Sequence, residues 1–348
     1  MSQIKVNTIN DASGGNNAVL YGPACPDNSM GFRNRIINGD MRIDQRNAGA
    51  SVTPSSGTTY LVDRFNLTAS QASKFACQQN AGSVTPPAGF TNYLGFTSQS
   101  AFSSASGDYF LTEQVIEGLN VSDLGWGTAN AQAVTLSFWV RSSLTGTHSG
   151  SIRNADFTRS YPFSFTVSSA NTWEQKTVTI AGDTSGTWLT NNSYGVRLDF
   201  DLGTGTTYRG TANAWAAGSY VGVTGSVSVV ATNGATFYIT GIQLEAGSVA
   251  TPFERRDYGR ELALCQRYYW SIPSCNYPMS IVATTDNYRR SFTQFPSTMR
   301  TSPTVTGSTD NGSISFDNIT TSAVRGVVGF GNTTSTANLT SIFATAEL

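Results

Sequence analysis

Two pairs of carboxylates in this 348-residue sequence stand at spacings that could support acid–base chemistry. Glu113 and Glu117 flank Gln-Val-Ile, and in a β-strand residues four apart lie on the same face. Asp199 and Asp201 share a face in the same way. Hydrolysis of a glycosidic bond needs only two such carboxylates. Carboxylates on the polar face of a strand are common, however, so catalysis by either pair is the less favoured interpretation.

Catalysis by histidine or cysteine has little support in the sequence. The one histidine, His148, stands in Thr-Gly-Thr-His-Ser-Gly-Ser, which predicts an exposed loop and not a rigidly held base. Cys25, Cys77, Cys265 and Cys275 form no C-x-x-C pair, so zinc has no supporting spacing and the thiols are expected to pack as small hydrophobes. Neither G-x-x-x-x-G-K-[ST] nor a G-x-G-x-x-G between a strand and a helix is present. We therefore expect no cofactor.

Aromatic residues offer a better candidate site. Four of them crowd the stretch from 191 to 220, namely Tyr194, Tyr208, Trp215 and Tyr220. Proteins bind sugars by stacking apolar sugar faces on aromatic rings while nearby polar groups bond the hydroxyls, and this stretch also supplies Asn, Asp and Arg. These four residues are the predicted glycan-binding candidates. The more common outcome for such rings is that about half belong to a core or a subunit interface.

The elements that must position these residues are β-strands. In residues 134–141 and 196–202 apolar and polar residues alternate, which indicates strands with one apolar face and predicts that the charges at 197, 199 and 201 face solvent. In residues 237–244 the apolar phase slips at Gly241, which predicts a β-bulge. Turn-forming clusters separate the strands. Two sheets packed as a jelly-roll β-sandwich is the favoured architecture, in an all-β fold.

The chain is predicted to have four parts. Residues 1–32 hold too little apolar mass to fold alone and form an extended anchoring segment, in which Ile4, Val6 and Ile9 are the predicted attachment residues. Residues 33–256 form the jelly-roll sandwich, and residues 257–270 have helical periodicity and form a connector. Residues 271–348 return to short strands broken by prolines and form a smaller C-terminal β domain.

Composition limits the partners. The formal net charge is −1, so no broad electrostatic attraction to nucleic acid or to an anionic membrane is expected. No apolar run approaches the roughly 20 residues of a membrane span. The first ten residues lack the apolar stretch of a signal peptide, so we expect synthesis and assembly in a cytoplasm.

The most charged stretch is NRIINGDMRIDQRN, residues 34–47. Asn38-Gly39 predicts a turn, and Met41 and Ile43 alternate with charged neighbours as in a strand. The cluster lacks the aromatic rings that would stack nucleic-acid bases. We interpret its charges as neighbouring ion pairs with a structural role, formed among Arg33, Arg35, Arg42 and Arg46 with Asp40 and Asp44.

Long phrases of the sequence resemble a domain of bacteriophage tail-fibre proteins. The phrases are NRIINGDMRIDQRNAG, VDRF, EGLNVSDLGWGTANAQAVTLSFWVRSS, NTWEQKTVTIAGDTSGTW and FYITGIQLEAGSVATPFERRDYGRELALCQRYY, within residues 34–270. The opening MSQIKVNTINDASGG is similar to the virion-proximal end of such proteins, and the closing FPSTMRTSPTVT…FATAEL to their small C-terminal domains.

The resemblance implies a galactose-binding-like jelly roll, similar in shape to carbohydrate-binding modules, on a phage appendage. It implies a homotrimer whose N-terminus attaches to a tail adaptor or another virion protein and whose distal domains face the host surface. It also implies that residues 34–47 form the first strand of the jelly roll. Modules of this shape often hold a structural calcium, for which Asp40 and Glu245 are the nearest positions, and the presence of a metal stays open.

The predicted function is therefore that of a structural virion protein, a non-enzymatic phage tail fibre that contacts host-surface glycan. It would be located in the virion after assembly in the bacterial host cytoplasm. Two alternatives stay open. One is a fibre or decoration protein attached to the head (capsid), and the other is a polysaccharide depolymerase that uses paired carboxylates.

Overall fold

A computed structural model describes residues 32–281, 288–329 and 336–348 of the chain. The chain divides into two compact units, Met1–Arg33 and Asn34–Leu348, and every strand named below belongs to the second. The predicted attachment residues Ile4, Val6 and Ile9 lie outside the described residues, as does Cys25.

The larger part of the second unit is a sandwich of two antiparallel sheets. One sheet has seven strands in the order β1-β2-β5-β10-β7-β8-β12, the other has five in the order β3-β4-β14-β6-β9, and β11 and β13 form a small parallel pair. The strands are β1 (Gly57–Tyr60), β2 (Asn66–Ala69), β3 (Phe75–Gln79), β4 (Leu94–Ser98), β5 (Phe110–Glu117), β6 (Val134–Ser142), β7 (Gly146–Arg153), β8 (Arg159–Val167), β9 (Glu174–Ile180), β10 (Tyr194–Asp201), β11 (Arg209–Gly210), β12 (Ala216–Ala217), β13 (Gly222–Val223) and β14 (Thr236–Ala246). Short 3-10 turns lie at Ala81–Ser83, Gly118–Asn120, Ser122–Leu124 and Thr206–Tyr208.

The apolar faces of the two sheets pack together as the alternation predicted. Phe138 of β6 in the five-stranded sheet meets Phe165 and Phe200 of the seven-stranded sheet, with ring centroids 5.0 Å apart in both pairs. The predicted inward set of β6 is fully buried, namely Val134, Leu136, Phe138 and Val140. The predicted bulge is also confirmed, because the pairing of β14 with β6 shifts register between Thr240 and Gln243 while Gly241 has φ +61°. The predicted all-β jelly-roll sandwich is thus confirmed for the described residues.

A short helix and a smaller β region follow the sandwich. Helix α1 (Tyr258–Gln266) begins at Asp257, whose side chain accepts a hydrogen bond from the Arg260 amide. The strands beyond it form two four-stranded sheets, β15-β22-β16 with β19 added on β22, and β17-β18-β21-β20. They are β15 (Tyr269–Ile272), β16 (Tyr277–Pro278), β17 (Ser280–Ile281), β18 (Tyr288–Gln294), β19 (Thr304–Thr309), β20 (Ile314–Asp317), β21 (Ala323–Gly329) and β22 (Asn338–Thr345). No helix among the described residues is long and apolar enough to span a membrane.

Residues 34–47 do not form the first strand that the family resemblance implied. Asn38 and Met41 adopt positive φ angles of 58° and 59°, and the Met41 amide donates to the Asn38 carbonyl in the predicted turn. Left-handed residues interrupt strand pairing, so the segment lies as a buried coil. Of the predicted ion pairs, Arg42 does meet Asp40 at 3.3 Å.

The other charges of this segment bond to more distant parts of the chain. Arg35 pairs with Asp123 at 2.5 Å, and Arg46 pairs with Glu347 at 2.8 Å. Asp44 instead accepts hydrogen bonds from the amides of Asn47 and Gly49 within its own loop. The structural interpretation of the cluster holds, but its charges tie the C-terminus and the sandwich together instead of pairing mainly with one another.

His148 is not in an exposed loop. It lies in β7, between β10 and β8, and is fully buried with its ring stacked on Phe165 at 5.8 Å. The Nε2 atom lies 3.0 Å from the Leu144 carbonyl oxygen. The prediction was wrong because Ser149 and Gly150 next to it are small enough for a central strand, where a run of Gly, Ser and Thr resembles a loop only in composition.

Candidate functional site

The seven-stranded sheet carries buried charges on the face that points away from the sandwich core. Strands β5, β10 and β7 lie side by side, and their alternate residues bring Glu113, Asp199 and Arg153 onto this face. Asp199 and Asp201 were predicted to face solvent, yet their exposed fractions are 0% and 1%. The prediction was wrong because alternation identifies the face opposite the core but cannot show that the residues after β10 fold back over it.

Four of these charges contact one another and are called the charged quartet, namely Glu113, Asp199, Arg153 and Arg197. Arg153 Nε donates to Asp199 Oδ2 at 2.5 Å, and Arg197 Nη1 donates to Glu113 Oε2 at 3.0 Å. Arg153 Nη2 lies 3.8 Å from the same Glu113 oxygen. Burial of four charges in one group is tolerated because each ion has an opposite charge as a neighbour.

The two carboxyl groups of the quartet are neighbours across strands. Glu113 and Asp199 are directly opposite in the pairing of β5 with β10, and Arg153 lies against both. Burial and the Asp199 charge raise the pKa of Glu113. Asp199 Oδ1 is buried, and none of the N–H or hydroxyl groups of the described residues donates to it. Burial beside a second carboxylate thus makes Glu113 harder to ionise than a carboxyl group in water.

Asp201 has a different task, which is to hold the covering segment 203–227 in place. Its Oδ1 accepts from the amides of Gly203 and Thr204 at 2.8 and 2.7 Å. Its Oδ2 accepts from the hydroxyls of Ser149 and Ser226 at 3.1 and 3.2 Å. Arg209 balances its charge at 3.8 Å. Asp201 is therefore an anchor, and not one half of a catalytic pair with Asp199.

Aromatic rings surround the charged quartet. Tyr208, carried by the covering segment, meets Tyr109 edge to face at 5.8 Å. Phe157, in the loop between β7 and β8, is 40% exposed and has φ +60°. A phenylalanine in the left-handed region is uncommon, and such backbone strain concentrates at functional positions.

Two of the rings fix the orientation of Arg197. Its guanidinium carbon lies 4.7 Å from the ring centroid of Phe157 and 4.7 Å from that of Tyr194. Arg153 also lies against Phe157, at 4.9 Å. Rings stacked on a guanidinium hold it in one plane and leave its N–H groups directed along that plane.

Together these residues enclose a partly open cavity of about 420 Å³, called here the sheet-face pocket. Its volume is in the range of small-molecule sites, which is roughly 300–1,000 Å³. Its lining consists of Thr58, Thr68, Tyr109, Leu111, Glu113, Arg153, Phe157, Arg197, Tyr208, Ser219 and Val221. Aromatic and hydroxyl groups thus surround a charged floor.

The four predicted glycan-binding aromatics lie in three different surroundings. Tyr208 lines the sheet-face pocket, and Tyr194 lies beside it against Arg197. Tyr220 packs over Gly210 and Gly218. Trp215 belongs to a separate cluster with Trp126 and Trp188, each 5.5 Å away, and donates from Nε1 to the Ala181 carbonyl. A ligand-binding role for these four residues stays a prediction.

The other predicted candidates have structural partners. Glu117, on the same face of β5 as Glu113, accepts hydrogen bonds from Arg267 at 2.6 Å and from the Tyr268 hydroxyl at 2.7 Å. Glu245 accepts hydrogen bonds from Gln243 and Thr251. Asp40 lies by Arg42, and burial raises its pKa. No group of three or more Asp, Glu, His or Cys side chains suited to a metal occurs in the described part of the chain.

Phe157, Tyr109, Arg153 and Arg197 were missed as members of a site. The one available signal was Phe157, a large apolar residue in the polar loop sequence Asn-Ala-Asp-Phe-Thr-Arg-Ser. The meeting of Glu113 with Asp199 could not be found in the sequence, because it depends on the pairing register of strands that are distant in the chain.

No protein-family model and no curated protein matches this sequence. Solved structures with a similar fold include a putative sugar binding protein from Bacteroides thetaiotaomicron VPI-5482, at 11% identity and a TM-score of 0.35 over 62% of this chain and 100% of that one. Another is the enzymatically active domain of tailspike protein 4 of bacteriophage CBA120, at 11% identity and a TM-score of 0.33. The match covers 62% of this chain but only 21% of the tailspike chain.

A family 11 carbohydrate-binding module from Clostridium thermocellum, in complex with a β-1,3-1,4-mixed-linked tetrasaccharide, is also similar. Its identity is 12% and its TM-score 0.29, over 57% of this chain and 100% of the module. All three TM-scores are below 0.5, so these likenesses carry no argument about ligand, activity or assembly.

Proposed function

We propose that the protein is a non-enzymatic bacteriophage tail fibre that binds host-surface glycan in the sheet-face pocket. The observation that carries this proposal is the pocket itself, in which one exposed and two half-buried aromatic rings surround buried hydrogen-bonding charges. Phe157 and Tyr208 offer apolar rings for the faces of a sugar. Thr68, Ser219 and the two arginines offer donors and acceptors for its hydroxyls.

The arrangement of carboxylates supports binding without hydrolysis. Glycosidases hold their two carboxyl groups roughly 5–10 Å apart so that the sugar, or the sugar and a water, fits between them. Glu113 and Asp199 are instead both engaged by Arg153, and Glu113 also by Arg197. Glu117 and Asp201 are each occupied by several hydrogen-bond donors.

The virion role rests on the sequence resemblance to tail fibres. In this proposal residues 1–32 attach the fibre to a tail adaptor or another virion protein, and the sandwich faces the host surface. The fibre is a homotrimer, assembles in the bacterial cytoplasm and is located in the phage tail. If the fibre were attached to the head instead of the tail, the sheet-face pocket would still bind host-surface glycan.

Glycan binding is tested by comparing two exposed phenylalanines. Purified protein is applied to immobilised host envelope polysaccharide and to an array of bacterial saccharides, beside the variants Phe157→Ala and Phe292→Ala. Phe157 is on the pocket rim, whereas Phe292 is 66% exposed on β18 and lines no part of the pocket. Loss of a stacked ring should weaken binding roughly tenfold or more in Phe157→Ala and leave Phe292→Ala unchanged. Equal binding by both variants, or release of reducing ends from the polysaccharide, would contradict the proposal.

Assembly is tested by the native mass in solution. Light scattering should give three times the mass of one chain, which is 37.0 kDa for the full sequence, both for the full chain and for a chain that lacks residues 1–30. A monomer in both cases would contradict the fibre. A trimer only with residues 1–30 present would assign assembly to the anchoring segment and not to the β domains.

A further inference from the structure

The charged quartet in the floor of the sheet-face pocket leaves guanidinium N–H groups without an acceptor. It contains two guanidinium groups and two carboxyl groups, and the arginines donate to the carboxylates from Arg153 Nε and Arg197 Nη1. Asp201 and Arg209 beside the quartet pair with each other at 3.8 Å. The remaining N–H donors of the two guanidinium groups therefore decide which ligand group fits the floor of the pocket.

Two of these donor groups, Arg197 Nη2 and Arg153 Nη2, have no acceptor within hydrogen-bond distance in the described part of the chain. Arg197 donates from Nη1 to Glu113, and its Nη2 donates to no described residue. Arg153 donates from Nε to Asp199 and from Nη1 to Ser219, while its Nη2 has no hydrogen bond within 3.5 Å to any described residue. Both arginines line the pocket, and the stacked rings of Phe157 and Tyr194 hold Arg197 in place. A planar carboxylate is the group that such ordered guanidinium N–H groups bind best.

We infer that the sheet-face pocket selects acidic saccharides, those that carry a carboxylate, and that Arg197 and Arg153 bind this carboxylate while Phe157 and Tyr208 pack on the sugar ring. The inference rests on the proposed glycan binding and adds the class of glycan.

The test is an array of bacterial saccharides that holds neutral and uronic-acid-containing members, followed by calorimetry on the strongest acidic ligand and its methyl ester. The methyl ester keeps the sugar and removes only the charge. We expect acidic saccharides to bind best and the free acid to bind roughly tenfold or more tighter than its ester. Neutral saccharides that bind as well as acidic ones would overturn this inference but leave glycan binding intact. No binding to any saccharide would overturn both.

The variant Arg197→Gln should reduce the ratio of the two affinities to nearly one, whereas Phe292→Ala should keep the wild-type ratio. A ratio of affinities measured on one variant is insensitive to partial loss of folded protein. A second measurement covers the case in which Arg197→Gln does not fold. For the wild-type protein, raising the salt concentration should weaken binding of the free acid but not of the ester, because salt screens charge attraction. Salt-independent binding of the acid would contradict the inference.

Discussion

Glu113 and Asp199 face each other across the β5–β10 pair, and Arg153 lies against both carboxyl groups. The two carboxyl groups are buried on the outer face of the sheet, where Arg197 also donates to Glu113. These ion pairs leave Arg197 Nη2 and Arg153 Nη2 without an acceptor in the described part of the chain, in a pocket that Phe157 and Tyr208 also line. The proposed binding of glycan, and of acidic glycan in particular, depends on this arrangement.

The C-terminal residues are held to the sandwich by a buried ion cluster, and its removal should be costly. Glu347 pairs with Arg46 and with Arg64, whose side chain is 1% exposed. Glu347→Ala should lower the free energy of unfolding by about 3–5 kcal/mol, because it leaves a buried guanidinium without its counter-charge. Urea unfolding followed by fluorescence measures this. Asp317→Ala removes an exposed pair with Arg325 and is the control, so an equal loss in both variants would contradict the assignment.

The covering segment should be sensitive at Gly222. A Cβ atom there would lie 2.3 Å from Asp201 Oδ2, so Gly222→Ala must displace the anchor that holds the segment over the pocket. We expect a loss of about 1–3 kcal/mol in unfolding free energy and weaker glycan binding. Gly107→Ala is the control, since a Cβ there meets nothing within 4 Å and the change should be within about 0.5 kcal/mol. Calorimetry measures glycan binding and urea unfolding measures stability for both variants. If Gly222→Ala bound glycan and unfolded as the wild type does, Asp201 would not be the anchor of the covering segment.

His148 should make the fold less stable in acid. Burial lowers the pKa of His148, so the unfolded chain binds its proton more readily than the folded chain. Stability from this group is complete above the unfolded pKa of about 6.5 and falls as the pH drops toward the lowered folded pKa. His148→Leu should cost about 1 kcal/mol at pH 8, from the lost hydrogen bond, and the deficit should shrink or reverse at pH 5. Urea midpoints at the two pH values measure this, and a constant deficit would show that the ring is not buried in neutral form.

Asp63 should make the fold more stable in acid, which is opposite to the effect of His148. Burial raises the pKa of Asp63 to about 6, although Gln45 donates two hydrogen bonds to its carboxylate. The folded state then binds the proton more tightly than the unfolded state, so stability from this group is present at low pH and lost as the pH rises through about 6. Between pH 4 and pH 7 the unfolding free energy of Asp63→Asn should rise relative to wild type by at most about 3 kcal/mol. Titration of the Asp63 carboxyl by NMR gives the pKa directly, and a value near 4 would contradict this prediction.

The sequence was sufficient for the architecture but not for the site. Alternation in β6 identified four core residues, and the phase slip at Gly241 located a bulge, because both are local consequences of the two-residue period of a strand. His148 was misplaced because small polar residues occur both in loops and in crowded central strands. The errors at His148, Asp199 and Asp201 all concern burial, which depends on what packs against a segment and not on the segment alone.

The site escaped prediction for a related reason. The correct carboxylates were among the candidates, but they were paired along the strand, Glu113 with Glu117 and Asp199 with Asp201. The structure pairs Glu113 with Asp199 across strands, a matter of register. Of the predicted aromatics, only Tyr208 lines the pocket and Tyr194 flanks it, while Trp215 packs with two other tryptophans. Nothing local distinguishes a ring on the pocket rim from a ring in such a cluster.

The most direct test of the central claim is a crystal structure of the protein with the tightest-binding saccharide from the array. We predict that the sugar lies in the sheet-face pocket, with one ring packed on Phe157 or Tyr208 and a carboxylate at Arg197 and Arg153. A sugar bound instead at the cluster of Trp126, Trp188 and Trp215, with the sheet-face pocket empty, would contradict the account.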